Sequence, residues 1–158
     1  MRWSDRQQFL FLGLHRCIDF LDESVGQLLH FVLGATVVVF TDYQCPICRA
    51  TDPALRDLIA ADPTVRVIFK DWPIFGPASK AAAEVALAAA RQGRYLDVHR
   101  AFMARRTPLD PPGIERLARD AGVDWPRLAA TRQAAGPALQ AQLARHALQA
   151  FSLGLQGT

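Results

Sequence analysis

Residues 37–49 read VVVFTDYQCPICR, an apolar β-branched run followed by a turn and two cysteines, Cys45 and Cys48, that enclose Pro46 and Ile47. The run from residue 35 to 41 is rich in strand formers and too short for an ordinary helix, while residues 49–61 carry apolar positions at helical spacing. Strand, tight turn, Cys-x-x-Cys and helix is therefore the expected order. Two thiols three positions apart at a helix start can close a small disulfide ring and exchange it with another protein. The reactive species in that exchange is the thiolate, so one sulfur must ionise more readily than a free cysteine, whose pKa is ~8.5. A helix N-terminus favours this, because its first N–H groups lack partners and its dipole places about half a positive charge there. Cys45 is expected at that end, with Pro46 in the first turn, where its missing N–H loses nothing. Cys45 is accordingly assigned as the attacking, more exposed thiol and Cys48 as the shielded, resolving one. Ile47 brings no charge, which leaves the thiolate to the helix dipole.

Outward from this segment, Pro53 falls inside the expected helix, removes one N–H and predicts a kink near Asp52. Residues 65–70, VRVIFK, alternate enough for a second strand, giving a βαβ unit with a right-handed crossover. The loop WPIFGP at 72–77 then hands over to helices. Ser79 is the expected N-cap of an Ala-rich helix over 80–91, stopped by Gly93. A helix over 95–105 places Tyr95, Val98 and Phe102 on one face. Asp110-Pro111-Pro112 opens the next, ending at Gly122, and Asp124-Trp125-Pro126 opens a short one to about Gln133. Pro137 is expected to open the last, which runs to Leu153 and stops at Gly154.

At this point the residues resemble a known family. FTDYQCPICR, residues 40–49, is similar to the active-site segment of DsbA-like thiol:disulfide oxidoreductases, and residues 69–103 resemble that family's second strand, following loop and first insert helices. Pro53 stands where thioredoxin-fold proteins carry a kink proline. The resemblance runs from about Val37 to Thr158. It implies an α/β fold, a thioredoxin-like βαβ unit with an inserted helical subdomain. It also implies that the chain stops, at Gly157-Thr158, just before the cis-proline loop, with the C-terminal strand pair and last helix missing. An unpaired strand edge and self-association are the physical expectation from that. Residues 1–34 show no family pattern. The expected organisation is a segment of unclear assignment at 1–34, the βαβ portion at 35–77 and the helical subdomain at 78–158.

Other readings compete at individual residues. Zinc would need four ligands, which His15 and Cys17 could complete with Cys45 and Cys48, but a proline-containing Cys-x-x-Cys at a helix start suits redox work better, and no metal is expected. Asp42 either tunes the thiol or shapes the turn; the turn is favoured, because a carboxylate beside Cys45 would oppose the helix dipole. Tyr43 and Gln44 either line a substrate groove or pack locally. His99 resembles a family helix position and reads as packing. Pro46, Ile47, Asp42 and Tyr43 thus stand as supports of the site.

Composition narrows the function classes. The 158 residues, 51% apolar and 21% charged, are those of one globular domain. The net charge of +3 is spread along the chain without a compact basic run, which argues against a nucleic-acid surface. No stretch reaches the ~18 apolar residues of a membrane span, the longest, Leu28 to Phe40, being interrupted by His30 and Gly34. Phe9 to Leu14 after Arg2 and Arg6 only faintly imitates a secretory signal, since no small-residue cleavage pattern follows. The resemblance implies a periplasmic or otherwise extracytoplasmic setting; without a clear signal pattern the cytoplasm stays open. The expected activity is exchange of a Cys45–Cys48 disulfide with substrate protein thiols through a mixed disulfide at Cys45. A separate redox partner resets the pair, and no cofactor is needed, since the sulfurs carry the electrons. The alternative is a truncated, non-catalytic thioredoxin-like binding or structural module.

Overall fold

The computed structural model describes residues 34–106 and 108–158. The N-terminal segment before residue 34, with His15, Cys17 and the signal-like stretch, lies outside the described residues.

Strand β1 (Thr36–Thr41) leads into helix α1 (Pro46–Ala61), which returns to strand β2 (Arg66–Asp71). The two strands pair in parallel, from Thr36 opposite Arg66 to Thr41 opposite Asp71, the pairing that a helical crossover permits. Both strands alternate in exposure, so Val38 and Ile68 look outward together while Val39 and Phe69 share the inner face. Gly34, at φ 62°, lets the chain entering β1 pass against the loop before β2, since a Cβ there would stand 2.2 Å from the Thr64 carbonyl oxygen.

Four helices follow: α2 (Pro77–Ala89), α3 (Tyr95–Ala104), α4 (Pro111–Asp120) and α5 (Trp125–Ser152). Asp110 caps α4 by accepting from the Gly113 N–H at 2.8 Å, and Asp124 caps α5 by accepting from Arg127 at 3.0 Å, as the Asp-Pro and Asp-Trp-Pro signals predict. Gly93, left-handed at φ 71°, ends the short 3₁₀ turn after α2. Buried alanines 82, 83, 86, 88 and 89 let α2 lie close to its neighbours, and Val98, Phe102, Ile114, Leu128, Leu139 and Leu143 pack around it.

Two helix boundaries differ from the sequence reading. Gly76, not Ser79, is the N-cap of α2, and Ser79 is buried one turn in, where its hydroxyl donates to Asp42. Pro137 does not open a helix; it lies inside α5, which runs unbroken for 28 residues. Pro137 and Gln133, whose carbonyl loses its helical donor, are both exposed, so water can hydrate that carbonyl. Buried Leu128, Leu139, Leu143, His146 and Ala150 meanwhile stay in helical phase across the proline, so packing rewards continuity.

Candidate active site

Cys45 is the N-cap of α1, with φ −66° and ψ 120°, and its sulfur accepts from the Cys48 N–H at 3.3 Å. Its own N–H donates to the Asp42 carbonyl at 3.1 Å, closing the turn, and Pro46 occupies the first helical position. The turn thus aims a free helix-terminal N–H at a sulfur, an arrangement that stabilises negative charge there. Both cysteines are free thiols.

The exposure of the two thiols is the reverse of the expected one. Cys45 is 1% exposed, its Sγ–H donating to the Thr158 carbonyl at 3.2 Å, whereas Cys48 is half-buried. Helix position alone says nothing of the backbone that crosses the helix start, and here Thr158 lies over the sulfur of Cys45. Burial pushes the Cys48 thiol up, and the neighbouring Cys45 adds to that, while a backbone hydrogen bond from Asp42 works against it. Ile47 stands between them at 65% exposure, the apolar rim of the turn.

The turn is locked by Asp42. One carboxylate oxygen accepts from the Gln44 N–H and the Ser79 hydroxyl, both at 2.7 Å, and the other from the N–H groups of Ile74 and Phe75 at 2.6 and 3.0 Å. Four donors from the turn, the 72–76 loop and α2 meet on one buried side chain, which is the turn-shaping role, extended to long-range contacts. Gln44 ties the other flank, its side-chain oxygen accepting from the Arg105 guanidinium and the Leu109 N–H. Burial pulls Arg105 down to about 10, with Arg49 adding to that. Arg49, directly after Cys48, donates to the carbonyls of Met103 and Arg105, capping the end of α3.

Tyr43 points into the core, not a groove. It packs edge-on against Phe102 at 5.2 Å, and its hydroxyl lies 3.2 Å from His99 Nδ1. His99 is buried, and its Nε2 lies 3.2 Å from Asp52 Oδ1, while Arg56 Nε meets Asp52 Oδ2 at 3.1 Å. Burial lowers the titration of His99, against the pull of Asp52. A third carboxylate, Asp71, ends β2 fully buried: Tyr95 donates to its Oδ1 at 3.1 Å, its Oδ2 has no partner, and burial raises it to about 7. The Asp71 carbonyl also accepts from His146 Nδ1 at 3.0 Å.

Sequence reasoning missed Asp52 and Asp71. Asp52 lies one turn beyond Cys48, on the Cys48 side of α1, a signal that a helical-face reading could have used; Asp71 had only its place at the end of an apolar strand. A cleft of ≈ 200 Å³ beside the turn is bordered by Ile47, Cys48, Asp52, His99 and Thr158. Among the described residues no three His, Cys, Asp or Glu side chains gather as a metal site, and no helix is long and apolar enough to cross a membrane.

Comparison with known proteins places this geometry. A family model described as DSBA-like thioredoxin domain matches residues 36–158. A thioredoxin-like oxidoreductase from Silicibacter pomeroyi DSS-3 shares 40% identity over 78% of this chain and 70% of its own, with a TM-score of 0.74. The thiol-disulfide exchange protein alpha-DsbA2 from Wolbachia pipientis shares 27% identity over 79% of this chain and 68% of its own, with a TM-score of 0.75. A Na(+)/H(+) antiporter, NhaA 3 of Salinispora tropica, is 34% identical over 94 residues, 58% of this chain and 14% of that protein. The chain thus spans only 14% of the length of such curated relatives.

Proposed function

Because the chain belongs to the DSBA-like thioredoxin domain family, with a thioredoxin-like fold, we propose that it is a protein thiol–disulfide oxidoreductase working through Cys45 and Cys48. The observation that carries this reading is the Cys45 sulfur at the N-cap of α1, accepting from the Cys48 N–H. In the oxidising direction a substrate thiolate attacks Cys45 of the disulfide, and Cys48 leaves with the electron pair and takes up a proton. A second substrate thiolate then attacks the substrate sulfur of that mixed disulfide, Cys45 leaves with the electron pair and takes up a proton, and the substrate departs oxidised while the pair is left reduced. The reverse order reduces a substrate disulfide, and the potential of the pair against its redox partner assigns the direction. Substrate proteins bearing thiols or disulfides, a partner that resets the pair and an extracytoplasmic setting follow from the same reading.

The burial of Cys45 under Thr158 favours one rival, a non-catalytic binding module whose sulfur never meets a substrate. Equilibrating the purified chain in glutathione buffers and counting free thiols decides between them. The expected result is a reversible two-thiol transition that Cys45→Ser abolishes, with Cys48→Ala accumulating a mixed disulfide at Cys45. Absence of a reversible transition, together with Cys45 inert to alkylation in the folded chain, would leave the binding module.

A further inference from the structure

Asp71 closes β2 in a place that asks more of it than its bonds supply. It is 1% exposed, Tyr95 donates to its Oδ1, and its Oδ2 has no partner. A buried carboxylate with a bare oxygen is costly as an anion, so burial holds a proton there up to about pH 7. Asp42, at the start of the Cys45 turn, also opposes the anion, whereas the phenols of Tyr43 from that turn and Tyr95 from α3 favour it. His146 from α5 meets the main-chain carbonyl, and Lys70, its neighbour on β2, lies on the other face of the strand.

Tyr43 acts on His99 as well as on Asp71. Burial keeps its phenol protonated, and its hydroxyl lies 3.2 Å from His99 Nδ1. Nε2 of His99 faces Asp52, so the neutral ring, which burial favours, carries its N–H there and takes the Tyr43 proton at Nδ1. The proton affinity of the ring is set separately, by burial, by Asp52 and Arg56 from α1 and by Arg100 on α3. Its position is fixed by Phe69, whose ring centre is 4.2 Å away, and by Tyr95, stacked at 5.9 Å. A hydroxyl has one proton and a carboxylate only accepts, so Tyr43 cannot donate to His99 and to ionised Asp71 at once.

We propose that Tyr43, Asp71 and His99 form a pH-sensitive switch in which the Tyr43 hydroxyl donates to His99 while Asp71 is protonated and turns to the Asp71 carboxylate when Asp71 ionises. In the protonated state the Asp71 O–H donates to the Tyr43 oxygen and Tyr43 donates to His99 Nδ1, a chain of one direction that gives each member a partner. Rising pH takes the Asp71 proton to solvent. The carboxylate then accepts from Tyr43, a charge-assisted bond roughly twice as strong as the neutral one it replaces, and His99 Nδ1 is left bare. Only the hydroxyl hydrogen has to move. His99 borders the ≈ 200 Å³ cleft beside Cys48, so the switch resets the hydrogen-bonding state of one residue on its wall.

The test is a pH titration of the full chain by NMR, following the carboxyl carbon of Asp71 and the two ring nitrogens of His99. The Asp71 carbon should titrate with a midpoint of about 7. At that same midpoint His99 Nδ1 should move downfield, toward the position of an unbonded ring nitrogen, while Nε2 stays in place. Asp71→Asn should abolish the Nδ1 movement. Tyr43→Phe should hold Nδ1 at its high-pH position throughout and raise the Asp71 midpoint, because the anion loses a donor. Should either variant fail to fold, the unaltered chain still decides, by whether the two midpoints coincide. Separate midpoints, an Nδ1 movement that survives Asp71→Asn, or an Asp71 carboxyl that does not titrate would overturn the switch. So would joint movement of Nδ1 and Nε2, which would mean that the ring itself takes the proton.

Discussion

The helical bundle and the Cys-x-x-Cys end are both buried, but by different chemistry. The bundle core of α2 to α5 is almost wholly apolar, alanines interleaved with Val98, Phe102, Ile114, Leu128 and Leu139. The end that carries the thiols buries Asp42, Asp52, Asp71 and Tyr43 on the two-stranded sheet, the turn after β1 and helix α1, with His99 reaching in from α3. Apolar packing is non-directional and forgiving of pairing, whereas each buried polar group must find its partners or cost stability. The bundle therefore supplies stability, and the thiol end uses some of it to keep polar side chains buried behind the turn.

If that division is right, the two regions should answer differently to perturbation. The largest change is expected from Leu128→Ala, which empties a fully buried site in the bundle: chemical denaturation should show a loss of about 2–5 kcal/mol, with the thiol–disulfide potential of the folded protein unmoved. A shift in potential of the folded protein would show that the regions are coupled.

Asp71 sharpens the other side. Its folded value, about 7 against an ordinary 3.8, means that the folded chain keeps a proton the unfolded chain has already released across that window. Stability should accordingly fall as pH rises from about 4 to 7, by up to roughly 4 kcal/mol for this group alone. Asp71→Asn should flatten that slope and be the more stable form at pH 7 to 8, measured by denaturation across pH. An unchanged slope would assign the pH dependence elsewhere.

The smallest effect belongs to Gly136→Ala on α5. No atom would meet the added Cβ within 4 Å, and the residue is already helical, so a gain of about 0.5–1 kcal/mol is expected with no effect on thiol exchange. A loss would mean that the helix around Pro137 tolerates less than its continuity implies.

Much of this was legible in residues 37–49. β-branched spacing, a turn and Pro46 inside the cysteine pair predict strand, N-cap and helix from local sterics and from hydrogen bonds made within a few residues. The starts of α4 and α5 were readable for the same reason, Asp110 and Asp124 being caps that close on N–H groups three positions away. Local rules mislead where distant contacts outweigh them. Ser79 looks like a cap, but the Asp42 carboxylate, 37 positions back, claims its hydroxyl. Pro137 looks like a break, but the buried face that runs from Leu128 to Ala150 keeps α5 whole.

What the sequence determined by itself is the chemistry present: two thiols one turn apart at a helix start, behind a strand. What only the tertiary structure decided is how those thiols are placed. It put Thr158 over Cys45 and left Cys48 the more open, reversing the expected exposure, and it brought Asp52, His99 and Tyr43 together behind the turn. Thiol exposure depends on which atoms close over a sulfur, and over Cys45 that is the Thr158 carbonyl, 113 positions away, just as His99 reaches Asp52 across 47 positions and Tyr43 across 56, beyond any local spacing.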